Sequence, residues 1–302
     1  MASSGRLRWN RFGAGDYLLY LLMIIWCFIT LYPVLYIISY SFSSPFQAAK
    51  KIITFYPRGF TLMNFQAVFN NRIIFRSFLV SVARTVVGVV YTCTICGLAA
   101  YAMTMDFPGK RVMSTFLLIP MYLSGGLLPF YVLIYKLGLI NSFWVYILPS
   151  GFSMWNMMLM RTYFQGIPDN LGESARLDGA GELRIFFTII LPLSAPIFAT
   201  IALFAGVAQW NEWFYGMIFM TSNKFKPMAT IIVDLMQRFE GSELQRAIQQ
   251  GSGAVKALGE ERATPETIKM ATIVICTAPI MFTYPFLQKH FIKGVMIGAV
   301  KA

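Results

Sequence analysis

Only one histidine, His290, occurs in the 302-residue chain. That scarcity excludes a histidine-based metal cluster and a His, Asp and Ser catalytic constellation. No Gly-x4-Gly-Lys-Ser/Thr stretch occurs, so the chain has no such loop to cradle a nucleotide phosphate. No filter-like repeat argues for a channel. Charge is scarce too: 13% of the residues are Asp, Glu, Lys or Arg, against roughly 25% in soluble domains. The chain also has just four cysteines, Cys27, Cys93, Cys96 and Cys276, all within apolar runs. Redox work needs an exposed, activated thiolate, so the Cys93 to Cys96 spacing reads as helix packing.

What fills the chain instead is apolar sequence, 57% of the residues, with a mean hydropathy of +0.61. Six runs carry no Asp, Glu, Lys or Arg: 17–49, 85–109 apart from Asp106, 112–135, 137–160, 185–211 and 270–288. A helix crosses the roughly 30 Å hydrocarbon layer with about 20 residues, so every run is long enough. A soluble helical protein does not fit this composition. The runs are continuously apolar rather than alternating with period two, which selects helices over a barrel. Behind Arg6, Arg8 and Arg11 the first run is too long for a secretory signal and lacks a small-residue cleavage site, so it reads as an uncleaved span.

The expected order is a tail (1–15), a first span (17–40), an outer loop (41–72), a second helix (75–104) and a turn at Pro108 and Gly109. A third span to Tyr135, a fourth over 143–163, a charged segment (164–184), a fifth over 185–215, a long outer loop (217–268), a last span (269–288) and a tail (289–302) complete one all-α membrane domain of six spans. Lys and Arg near span ends favour the cytoplasm. Arg6, Arg8, Arg11, Lys110, Arg111, Arg161, Arg176, Arg184, Lys289, Lys293 and Lys301 then put both termini inside. The basic residues of the opposite side lie in the two long loops, which translocate largely regardless of charge. The net charge of +12 is spread over at least seven segments with no compact basic stripe, which excludes nucleic acid as a partner.

One stretch breaks the apolar pattern. ESARLDGAGELRIFFTIILPLSAP, residues 173–196, places Glu173, Arg176, Asp178, Glu182 and Arg184 together and then returns to an uncharged run. Asp169 or Asn170 can cap a helix beginning near Leu171, with Glu173 in its first turn, where the dipole favours a carboxylate. Ala175 and Gly179, four apart, would share a face open to a partner, and the Asp178–Gly181 stretch would act as a hinge. The alternative is a solvated loop held by Glu173 with Arg176 and by Asp178 with Glu182.

The order Glu, small, Ala, three residues, Gly, nine residues, Ile, one residue, Leu, Pro is met by Glu173, Ser174, Ala175, Gly179, Ile189, Leu191 and Pro192. It resembles the cytoplasmic signature of the permease subunits of binding-protein-dependent ABC importers, with Ser174 in place of the usual Ala. LDGAGELRIFFTIILPLSAP followed by QWNEWF, and the closing QKHFIKGVMIGAVKA, resemble the sugar-importing branch. TFYPRGFTLMNFQAVF and LSGGLLPFYVLIYKLGLINS are similar to the subgroup that takes up oligosaccharides from polysaccharide breakdown.

The resemblance implies the type I importer permease fold, with a cytoplasmic coupling helix between spans four and five seated in a groove of an ATPase subunit. Glu173, Ser174, Ala175, Asp178, Gly179, Leu191 and Pro192 are then the coupling residues. It implies no cofactor on this chain, ATP and Mg on a partner ATPase dimer, a second permease, an extracytoplasmic solute-binding protein, and residence in the bacterial cytoplasmic membrane.

A sugar path needs polar groups and aromatic faces in a watered cavity. Candidates are Asn141, Trp144, Tyr146, Ser153 and Asn156 around the fourth span, and Gln209, Trp210, Asn211, Glu212 and Trp213 at the end of the fifth. For the aromatics the alternative is an interfacial belt; for Asn156 it is interhelical hydrogen bonding. The loop over 41–76, with five Lys or Arg and no Asp or Glu, suits an acidic binding-protein face or a uronic-acid oligosaccharide. An ion-coupled secondary transporter is the rival reading, but it needs buried ionisable groups, and only Arg84 and Glu212 approach the membrane interior.

Overall fold

The computed structural model describes residues 14–49, 55–123, 125–237 and 264–299; among them the only β pairing is an isolated bridge between Ser43 and Phe60. The chain divides into two compact units, residues 1–68 with 246–274 and residues 69–245 with 275–302.

In the first unit, α1 (Ala14–Ser41) is apolar around its whole circumference, with Trp26 70% exposed, as expected of a helix with lipid or another protein for a neighbour. The outer loop expected over 41–72 contains α2 (Pro45–Ala49) and α3 (Met63–Asn70). Asn64 is fully buried and donates from Nδ2 to the carbonyls of Ser41 and Ser43, both at 2.9 Å, which satisfies acceptors that the end of α1 leaves open. Tyr40 packs with Ala48 and Met270, and its hydroxyl lies 2.6 Å from Glu266 Oε2.

In the second unit, α4 (Arg72–Ala102) is the central rod, started by Asn71, whose side chain accepts from the Ile73 and Ile74 amides. The expected third span is two helices, α5 (Lys110–Tyr122) and α6 (Leu127–Lys136), bent sharply apart; Pro120 lies inside α5, and Gly126, at φ 80, immediately precedes α6. The expected fourth span is also interrupted. A 3-10 turn over Phe143–Tyr146 is followed by irregular chain through Pro149, Ser150 and Gly151, and only then by α7 (Met154–Phe164). An apolar run fixes that a segment is buried or lipid-facing, not that it is one straight helix, and proline and glycine break it wherever neighbouring groups can serve the freed backbone.

After α8 (Asn170–Leu177) the expected fifth span comprises α9 (Glu182–Ile185), a π-helical turn over Phe186–Ile190, α10 (Leu191–Leu193) and α11 (Ala195–Asn211), with an 86° bend at Ser194. Pro192 brings no amide proton to the ladder, which the preceding turn meets by widening to a π turn, and Pro196, in the first turn of α11, lacks one in the same way just after the bend. The segment expected as a long outer loop, 217–268, begins inside α12 (Phe214–Phe219) and holds α13 (Met228–Gln237); its remainder over 238–263 lies outside the described residues. The last helix, α14 (Pro265–Ala299), runs through most of the expected tail at 289–302. The tail at 1–15 falls almost wholly outside the described residues.

Among the described residues, three helices are long and apolar enough to cross a membrane, and up to five spans result if each bent pair counts as one. The core of the second unit is formed by Cys96, Ala100 and Tyr101 of α4, Met157, Met160 and Phe164 of α7, and Ile185, Phe186, Ile190 and Ile201 of the segment that follows. Cys96 is buried and its sulfur accepts from the Ser153 amide at 3.5 Å; all four cysteines are free.

Candidate functional site

The charged island forms a helix, but not through the expected cap. Asp169 makes no side-chain cap hydrogen bond; its carbonyl accepts from the Glu173 amide at 3.1 Å and continues the helical pattern. The helix ends on a double hydrogen bond. The Ala180 amide reaches the Ala175 carbonyl at 2.9 Å, and the Gly179 amide reaches the Arg176 carbonyl at 3.0 Å. This is the Schellman arrangement, which needs a left-handed residue after the cap, and Gly179 supplies it at φ 81. Gly179 therefore ends α8 rather than sharing a helical face with Ala175. Ala175 and Ala180 pack inward against the core, while Glu173, Ser174, Asp178 and Gly179 are exposed and Leu177 is 90% exposed.

Arg176 pairs with Glu182 rather than with Glu173. Arg176 Nε donates to Glu182 Oε1 at 2.6 Å, its Nη2 reaches Oε2 at 3.3 Å, and the Tyr101 hydroxyl donates to the same Oε2 at 2.7 Å. Glu182 wins over Glu173 because the turn after Gly179 folds α9 back against α8, which brings both carboxylate oxygens in front of the guanidinium fork. That carboxylate holds the Arg176 guanidinium above its ordinary range. The pair is exposed, and exposed ion pairs contribute little to stability; its consequence is geometric, tying α8 to the end of α4 through Tyr101, whose ring packs on Phe186 at 5.5 Å.

A second constellation lies farther along α4. A half-open cavity of about 450 Å³ is lined by Arg84, Thr92, Ser150, Ser153, Trp155, Asn156, Gln209 and Glu212 together with Phe204, Ala205 and Ala208. Arg84 is 1% exposed. Its Nε and Nη2 donate to Gln209 Oε1 at 3.3 and 3.2 Å, its Nη1 donates to the Glu212 carbonyl at 2.8 Å, and its guanidinium sits 4.4 Å from the centre of the Tyr146 ring. Gln209 donates from Nε2 to Ser150 Oγ at 2.9 Å and to the Tyr146 carbonyl at 3.2 Å. Gly88, one turn from Arg84, makes room for this: a Cβ there would stand 2.7 Å from Gln209 Cδ.

Of the residues expected along a sugar path, Ser153, Asn156, Gln209 and Glu212 line this cavity, and Tyr146 supports it with its ring and its carbonyl. The others lie elsewhere. Trp210 turns away, donating from Nε1 to the Cys276 carbonyl at 2.9 Å. Asn141 adopts φ 59, and its Oδ1 accepts from the Thr221 amide and hydroxyl, a turn-building role. Trp144, Asn211 and Trp213 face outward. The site residues that sequence reasoning did not select are Arg84, Thr92, Ser150 and Trp155; the available signal was Arg84 itself, a cation between apolar residues in the middle of a long helix.

The second unit thus carries a charged, anchored helix at one end of its central rod and a polar cavity along that rod. The chain matches, over residues 94–297, the family described as the binding-protein-dependent transport system inner membrane component, and it belongs to that family. Its members are the non-catalytic membrane subunits of ABC transporters, which work with a separate ATPase. The chain is 34% identical over 288 residues to the polygalacturonan/rhamnogalacturonan transport system permease protein YtcP of Bacillus subtilis, covering 95% of this chain and 98% of that one. Protein LplC of Bacillus subtilis is 35% identical over 280 residues, covering 90% of each. Among solved structures, a subunit of a bacterial ABC transporter involved in the import of the acidic polysaccharide alginate superposes with a TM-score of 0.80 at 26% identity, covering 93% of this chain and 99% of that chain.

Proposed function

We propose that the chain is one of two permease subunits of an ATP-driven importer that carries an acidic, uronate-containing oligosaccharide across the bacterial cytoplasmic membrane. The observation that carries this reading is that α4 bears both ends of the machinery. Arg84 lines the polar cavity and Tyr101 anchors the island helix, seventeen residues and so about 26 Å apart at 1.5 Å per residue. A displacement imposed on α8 is thereby passed along one rod to the cavity wall.

In this reading α8 is the coupling helix. Exposed Glu173, Ser174, Asp178 and Gly179, with Leu177 beside them, enter the groove of an ATPase subunit; Ala175, Leu191 and Pro192 hold the helix and the following bend in register. ATP and Mg bind to the ATPase dimer, whose closure rocks the permeases between two states. The segment at 217–268 meets the extracytoplasmic binding protein, the segments at 164–184 and both termini are cytoplasmic, and the broken segments count as spans three, four and five of six. Relatives named for polygalacturonan and alginate transport, together with the five cations and no anion over 41–76, support an acidic cargo.

The test is ATPase activity of the complete importer in proteoliposomes, with binding protein loaded with oligogalacturonate or with a neutral oligosaccharide of equal length. Several-fold stimulation by the acidic sugar alone is the expected result. Uptake that follows an ion gradient and ignores ATP would overturn the reading.

A further inference from the structure

A charge inside a membrane span is expensive and is retained where it has work to do. Arg84 is such a charge, and the partners of its guanidinium are neutral: a glutamine amide oxygen, a main-chain carbonyl and a tyrosine ring. Among the described residues no carboxylate lies within ion-pair distance of it, although Glu212 lines the same cavity; a Glu212 oxygen accepts from the Tyr215 amide at 3.0 Å. A guanidinium offers five N–H donors in a planar fork, and three hydrogen bonds are made here. The cation is thus held in a fixed orientation by neutral groups, beside a half-open cavity of about 450 Å³, with Glu212 in the same wall but outside ion-pair distance.

The rest of the wall suits a sugar. Ser150, Ser153 and Asn156 carry hydroxyl and amide groups, and Trp155, 57% exposed, presents an indole on whose face a pyranose ring can lie. We infer that Arg84 is the charge-reading residue of this cavity: it pairs with the carboxylate of one uronate residue of the passing oligosaccharide, while Gln209 holds the guanidinium at the angle that such pairing requires. The inference rests on the proposed acidic cargo and deepens it by naming the group that recognises the acid. A hydroxyl of a neutral sugar takes only a weaker hydrogen bond from this cation, whereas a carboxylate pairs with it charge to charge as well. Contacting the cation with neutral partners also keeps the site passable: the Glu212 side chain accepts from the Tyr215 amide instead of closing on the fork, to which Glu212 offers only its main-chain carbonyl.

The experiment compares transport of tetragalacturonate with that of its methyl ester by the complete importer in proteoliposomes. The readout is the ratio of the two rates, which does not depend on how much folded protein each variant yields. Wild type is expected to favour the acid. Arg84→Gln, which removes the charge, and Gln209→Glu, which supplies an internal counter-ion, should each lower the ratio about tenfold or more, and Arg84→Lys should keep most of it. An unchanged ratio in both Arg84→Gln and Gln209→Glu overturns the inference, since a purely structural role would slow both sugars alike. Wild-type transport of the ester but not the acid, or of neither, overturns the acidic-cargo reading itself and the charge-reading role with it.

Discussion

Gly179 carries the sharpest consequence of any single residue. Its φ of 81 lies where a side chain costs roughly 1 kcal/mol or more, and a Cβ there would meet nothing within 4 Å, so the penalty is conformational rather than steric. Gly179→Ala is therefore expected to loosen the end of α8 by about 1 kcal/mol, and Gly179→Asn, which tolerates the left-handed region, by less; protease susceptibility between residues 177 and 182 reads the order. Ser194 points the other way. It is fully buried at the bend, and its hydroxyl has no hydrogen-bond partner among the described residues. Removing such a group is close to neutral, so Ser194→Ala should leave the thermal midpoint of the purified subunit within about 2 °C or raise it; a large fall would assign the hydroxyl a partner in the assembled importer.

The elements that matter are α4, α8 and the broken segment from Glu182 to Asn211. Glu182 joins all three because it accepts from Arg176 and Tyr101 and begins the segment itself. Since the exposed pair adds little stability, Glu182→Gln and Tyr101→Phe are expected to leave folding intact and to uncouple: basal ATPase activity of the assembly persists while its stimulation by loaded binding protein drops several-fold. Equal stimulation in wild type and variants would remove the network from the coupling path. At the other end of α4, Gly88→Val would drive the new side chain into Gln209 and release the guanidinium fork. The expected effect is a several-fold fall in transport of the acidic sugar, with a smaller effect from Gly88→Ala, whose single methyl would stand 2.7 Å from Gln209 Cδ and displace the amide less than the larger valine.

At the scale of the whole molecule, insertion into the membrane and attachment to the ATPase are separable, because the first depends on the apolar runs and the second on an exposed patch. Glu173→Lys reverses a charge in the first turn of α8, where the helix dipole also disfavours a cation. It should abolish co-purification of the ATPase while the subunit still reaches the membrane at wild-type amounts; normal co-purification and transport would remove Glu173 from the docking surface.

The chain's apolar runs are solvent-independent facts of composition, which is why helical class, membrane residence and the family signature from Glu173 to Pro192 were all determined by the sequence alone. Whether a run is one helix or two depends on which backbone groups find partners after a proline or glycine, so the breaks around Gly126, Pro149 and Ser194 were decided only by the tertiary structure. The same holds for side chains at matching depth. Gln209 and Trp210 are adjacent and equally plausible as a pair, yet successive helical residues point about 100° apart, and packing sends one to Arg84 and the other to Cys276. Arg84 was visible in the sequence as a lone cation; that its partners are neutral, and that it faces a cavity, follows from which helices fold against α4, and no local pattern encodes that choice.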